Sequence, residues 1–121
     1  MKYIMYVRVL LSMGSCNENN ESVAPKAKNY LEGIQSGKVI GLDVRTKGEV
    51  ERNGSDKAIN IPIGDLDEKK MAELDKDKKI LVFCESGGRA SKAKSMLEAH
   101  GFKDVVNITD WRAWNKIIKG E

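Results

Sequence analysis

Lys79-Ile80-Leu81-Val82-Phe83-Cys84-Glu85-Ser86-Gly87-Gly88-Arg89 is the stretch from which the fold of this 121-residue chain is read. After Lys79, Ile80 to Cys84 form an unbroken apolar run with β-branched members, the pattern of a strand buried on both faces. Glu85 to Arg89 make a glycine-rich turn. Ala90, Ala93 and Leu97 then recur at helical spacing until Gly101 closes the segment. Strand, turn and helix follow one another within a couple of dozen residues.

The same alternation extends outward. Pro25 suits a first helical turn, and Ala27, Tyr30, Leu31 and Ile34 follow before Gly37 ends the helix. Val39 to Val44 is a second buried strand, and Ala58 to Pro62 a third, stopped by proline. Residues 45–57 are charged and glycine-containing, which predicts a loop with at most a short helix. A polar helix over 67–75 would bury Met71 and Leu74. Val105 to Ile108 is the last strand, and Asp110 caps a final helix with Trp111, Trp114, Ile117 and Ile118 on its apolar side. Strands with two apolar faces, alternating with helices, predict a three-layer α/β fold. Its central sheet is mostly parallel, with helices on both faces.

Composition narrows the function. Hydrophobic residues make up 40% and charged residues 32%, with a formal charge of +3. Lys2 and Arg8 supply two of those positives in an acid-free start, so the body is close to neutral. That argues against nucleic acid as a partner. The cysteines, Cys16 and Cys84, are too few for a disulfide framework. One histidine, His100, and no CxxC give no zinc ligand set, so no metal or other cofactor is expected. His100 stands in a helix-ending context that suits the surface better than a catalytic pair.

The first residues carry a separate message. Lys2 and Arg8 precede the apolar Val9 to Met13, and Gly14-Ser15 are small. A charged start, an apolar middle and small residues form the order of a secretory signal, here 1–15. Small residues just before Cys16 resemble the lipobox of bacterial lipoproteins, which implies lipidation of Cys16. Residues 16–21 then form a polar tether, and the folded domain occupies 22–121. The apolar run is too short to span a membrane. The expected location is periplasmic or lipid-anchored at the membrane surface; without a signal the protein would be cytoplasmic.

The chemistry centres on Cys84. In open α/β sheets ligands bind beyond the carboxyl ends of the strands, where this cysteine falls. Gly87 and Gly88 allow Glu85, Ser86 and their neighbours to turn successive N–H groups inward as an anion cup. The helix N-terminus and Arg89 add positive charge. These features favour thiolate over thiol and make Cys84 a nucleophile without a histidine base. Glu85 opposes an anionic donor, by about 1 kcal/mol at a wet rim.

Cys84-x-x-Gly87-x-Arg89 resembles the active-site loop of single-domain rhodaneses, the thiosulfate-type sulfurtransferases. Leu42-Asp43-Val44-Arg45 with Glu49 is similar to that family's D-V-R and following glutamate. Ala58-Ile59-Asn60-Ile61-Pro62 is similar to its G-A-x-N-I-P segment. Gly101-Phe102, Val105 to Ile108 and Trp114 are similar to its closing portion. Two departures concern glycines: Lys57 stands for the first residue of the G-A pair, and Thr109-Asp110 stand for a Gly-Gly before the last helix. Asn53-Gly54-Ser55 replace a usual Gly-His-Ile.

The resemblance implies a mechanism. The Cys84 thiolate takes the outer sulfur of thiosulfate or a similar donor, becomes a persulfide, and passes the sulfur to a thiol or to cyanide. Arg89, Glu85, Ser86, Gly87 and Gly88 would bind the donor. Asp43 and Arg45 would hold the loop and helix in place. The implied partners are a small-molecule sulfur donor and a thiol acceptor, and the implied state is a monomer. Three rivals stand beside this reading. Cysteine-loop phosphatases and arsenate reductases put five residues between Cys and Arg, whereas here there are four, from Glu85 to Gly88. A rhodanese-like binding module would usually lack the cysteine. A redox or sulfur carrier would need a second thiol, and Cys16 is the only internal candidate.

Overall fold

The computed structural model describes residues 24–121, so the expected leader, the expected tether and Cys16 lie outside the described residues. The chain runs α1 (Ala24–Gln35), β1 (Val39–Asp43), α2 (Lys47–Arg52), β2 (Ile59–Asn60), a 3-10 turn (Ile63–Asp65), α3 (Glu68–Met71), β3 (Lys79–Cys84), α4 (Gly88–Ala99), β4 (Val105–Asp110) and α5 (Trp111–Lys119). The four described strands form one sheet in the order β2-β1-β3-β4, every pair parallel. The expected three-layer α/β architecture is present.

Period-two alternation along β3 divides the interior. Ile80, Val82 and Cys84 face a core completed by Leu42, Val44, Ala90, Ala93 and Leu97. Leu81 and Phe83 face the other, with Tyr30, Ile108, Trp114 and Ile117. Phe83 and Trp114 stack there with centroids 5.3 Å apart. Gly41 of β1 makes that possible, since a Cβ at this position would stand 2.2 Å from the Trp114 ring.

Several elements differ in extent from expectation. The helix over 67–75 is one turn, Glu68–Met71, capped by the Asp67 side chain. Beyond it, i to i+3 bonds from Glu73 to Lys70 and from Leu74 to Met71 tighten the chain into turns, yet Met71 and Leu74 are buried as expected. The strand over 58–62 shortens to Ile59–Asn60, although the Ile61 and Ile63 N–H groups still donate to the Asp43 and Val44 carbonyls. Pro62 between them has no N–H to offer. The charged 45–57 segment contains α2, begun by a capping box in which Thr46 and Glu49 satisfy each other's backbone.

Candidate active site

Cys84 is the last residue of β3, and α4 starts four residues later. Gly87, at φ +98°, caps that helix in the left-handed region. This turn folds the chain back over the sulfur, leaving Cys84 only 1% exposed. Gly87 N–H donates to Cys84 Sγ at 3.0 Å. Burial pushes the thiol pKa up, but backbone N–H groups of Ala90, Ser86, Gly87 and Arg89 outweigh it, and the net shift is downward. The loop thus turns the Gly87 N–H onto the sulfur, and its backbone favours the thiolate.

Arg89 does not point an unpaired guanidinium into the cup. Its Nη1 and Nη2 donate to the two carboxylate oxygens of Glu49, at 2.7 and 2.9 Å. The pair holds the Glu49 carboxyl at about 2 and raises Arg89 further. Sequence reasoning gave Glu49 no role beyond its place in a motif. Thr46-x-x-Glu49 is a legible capping signature, but its second partner arrives from 40 residues away.

Glu85 is also engaged. Its oxygens accept from Trp111 Nε1 at 2.9 Å and from Arg112 Nη2 at 2.8 Å, which lowers its pKa. Trp111, expected on the apolar side of its helix, is half-buried and ties α5 to the loop; Trp114 is the fully buried one. The Arg112 guanidinium lies 4.5 Å from the Trp111 ring centroid. Ser86 and Gly88 are exposed on the rim.

Asp43 and Arg45 are fully buried and joined at 2.7 Å. Ser55 Oγ donates to Asp43, and Arg45 Nη2 donates to the Asn53 carbonyl at 2.7 Å. They brace the segment carrying α2 and Glu49, and reach the cysteine loop through the Glu49–Arg89 pair and through Trp111, whose ring centroid lies 5.4 Å from the Arg45 guanidinium. Asn60 Nδ2 adds bonds to the Asp43 and Arg45 carbonyls. Asn107 Nδ2 donates to the Gly87 carbonyl across from β4. His100 caps the far end of α4, about 18 Å from its start for a helix of 12 residues.

A family model described as "Rhodanese-like domain" matches residues 26–117. The chain is 35% identical over 105 residues to YrkF of Bacillus subtilis, provisionally named a sulfur carrier protein, covering 81% of this chain and 56% of that one. It is 38% identical over 73 residues to YtwF of the same organism, provisionally named a sulfurtransferase, covering 60% of this chain and 70% of that one. The chain thus spans about half the length of the first relative. Among solved structures, a rhodanese-related protein from Thermoplasma volcanium is similar with a TM-score of 0.59 and 32% identity, over 74% of this chain and 87% of that one.

Proposed function

This chain belongs to the rhodanese-like domain family, and from that premise we propose that it is a sulfurtransferase working through a persulfide on Cys84. The observation that carries the reading is the Gly87 N–H turned on the Cys84 sulfur at 3.0 Å, within a loop whose backbone depresses the thiol pKa. The Cys84 thiolate attacks the outer sulfur of a sulfane donor, thiosulfate or similar. With thiosulfate, the S–S bond breaks and sulfite leaves with its electron pair. The loop N–H groups then stabilise the persulfide anion in the manner of an oxyanion hole. A thiol, or cyanide in an assay, attacks the outer sulfur and regenerates the thiolate. Asp43, Arg45 and Glu49 hold the scaffold, and Gly87 shapes the turn.

The four-residue spacer from Glu85 to Gly88 makes a tighter cup than a phosphatase loop and favours transfer of a single sulfur atom. Intact mass after incubation with a sulfane donor tests the reading. Cys84 should gain the mass of one sulfur, and cyanide should remove it. A mass that never changes would exclude the persulfide. We propose, too, that residues 1–15 direct export and that Cys16 is lipidated, placing the domain at a membrane surface outside the cytoplasm.

A further inference from the structure

We infer that the sulfur donor this site is built for is a persulfide, R–S–SH, rather than thiosulfate, and that Glu49 and Glu85 set that choice. The inference rests on the sulfur-transfer reading of Cys84 and concerns its donor. Thiosulfate is a dianion, and attack by a thiolate gathers three negative charges in one cup. A site built for it must offer positive charge that no protein anion already holds.

The guanidiniums around the loop offer none. Both Nη atoms of Arg89 are bound to Glu49, at 2.7 and 2.9 Å. Arg112 has Nη2 on Glu85 at 2.8 Å and Nη1 at 3.7 Å from Asp110. Arg45 is buried on Asp43 and on backbone carbonyls. At the rim, two guanidiniums therefore meet three carboxylates, those of Glu49, Glu85 and Asp110. The remaining attraction comes from backbone N–H groups: that of Gly87 already donates to Cys84 Sγ at 3.0 Å, and those of Ser86, Arg89 and Ala90 help it to favour the thiolate. They suit one negative charge, first on the thiolate and then on its persulfide.

A persulfide meets this site without needing a free cation. Its reacting end is a single terminal sulfur with at most one charge, narrow enough for a cysteine that is 1% exposed. The Cys84 thiolate forms a bond to the outer sulfur of R–S–SH. The old S–S bond breaks, its electron pair leaves on RS⁻, and that thiolate takes a proton from water. Cys84–S–SH remains, and no net oxidation or reduction occurs. Glu49 and Glu85 act as specificity residues: each holds a guanidinium that would otherwise be available to the two charges of thiosulfate.

The test loads the full chain in single turnover and follows Cys84 by intact mass. Thiosulfate, glutathione persulfide and a persulfidated protein are the donors, and a free thiol of matched pKa corrects for donor reactivity. After that correction, a persulfide donor should load Cys84 at least about tenfold faster than thiosulfate, and whichever of the two is faster names the source. Glu85→Gln keeps an acceptor for Trp111 but removes the charge, and should raise the thiosulfate rate about tenfold, the factor expected for one near charge at a partly wet site. Glu49→Gln, which also frees Arg89, should move the persulfide-to-thiosulfate ratio the same way. Equal or faster loading by thiosulfate in the unmodified protein would overturn the inference, as would a ratio that neither substitution moves. No loading from any donor would instead overturn the sulfur-transfer reading beneath it.

Discussion

At Cys84, burial opposes ionisation and the turned N–H groups favour it, with the second effect larger. Its alkylation rate should therefore titrate with a midpoint below that of a free cysteine labelled under the same conditions. A midpoint at or above that value, read from pH-dependent labelling, would contradict the cup. Cys84→Ser should keep the circular dichroism of the parent and lose all sulfur loading. Glu49 offers a second titration. Its carboxyl is held at about 2 in the folded protein, well under the ordinary range. A depressed carboxylate stabilises the fold above the unfolded-state pKa, and the contribution fades as pH falls toward about 2. Screening at the partly exposed rim limits it to about 1 kcal/mol. Urea midpoints should thus separate the parent from Glu49→Gln at pH 7 and converge in strong acid.

At the scale of elements, two non-glycine residues among those described take positive φ: Lys57 at +67° and Thr109 at +81°. These are the positions where the sequence departs from glycines of the family it resembles. The backbone keeps the left-handed turn although the side chain has changed. Thr109 sits just beyond the register shift between β3 and β4, with its N–H held by Asn107 Oδ1 at 2.8 Å. A β-branched residue in that region carries strain of about 1–3 kcal/mol, while glycine gives back about 0.5–1 kcal/mol in unfolded-state entropy. Thr109→Gly should therefore stabilise by about 1 kcal/mol in urea denaturation; a loss of stability would refute the strain. Gly41→Ala should act oppositely. Its Cβ would meet the rigid Trp114 ring at 2.2 Å, and overpacking of that kind costs about 1–3 kcal/mol.

For the whole molecule, the Asp43–Arg45 pair is the polar centre of an otherwise apolar interior. Removing one partner leaves a buried charge with no counterpart, so Asp43→Ala should cost about 3–5 kcal/mol. That is a large share of the stability of a domain this size, and much of the variant should be unfolded by thermal melting at 37 °C. The loop, α2, β1 and the start of α5 converge at the carboxyl ends of the strands through Glu49, Arg45 and Trp111. The sequence places the folded domain after residues 1–20, so a chain lacking them should load sulfur at the parent rate. Mass spectrometry of the N-terminus from fractionated native cells tests export: a lipidated Cys16 supports it, and an intact Met1 in the cytosol refutes it.

Local patterns in the sequence determined the layered architecture, the two-faced strands and the candidate nucleophile. A buried parallel strand, a glycine turn and a helix start are each written in adjacent residues. The start of α2 was written there as well, in Thr46 and Glu49, because a capping box spans a single turn. What the tertiary structure alone decided is where each charge is held. Arg89 belongs to Glu49 and Glu85 to Arg112, across gaps of 40 and 27 residues. Side chains that far apart meet only because the sheet brings the ends of β1, β3 and β4 to one edge. Their pairing converts a loop that looks cationic along the chain into one whose remaining attraction for an anion is its backbone.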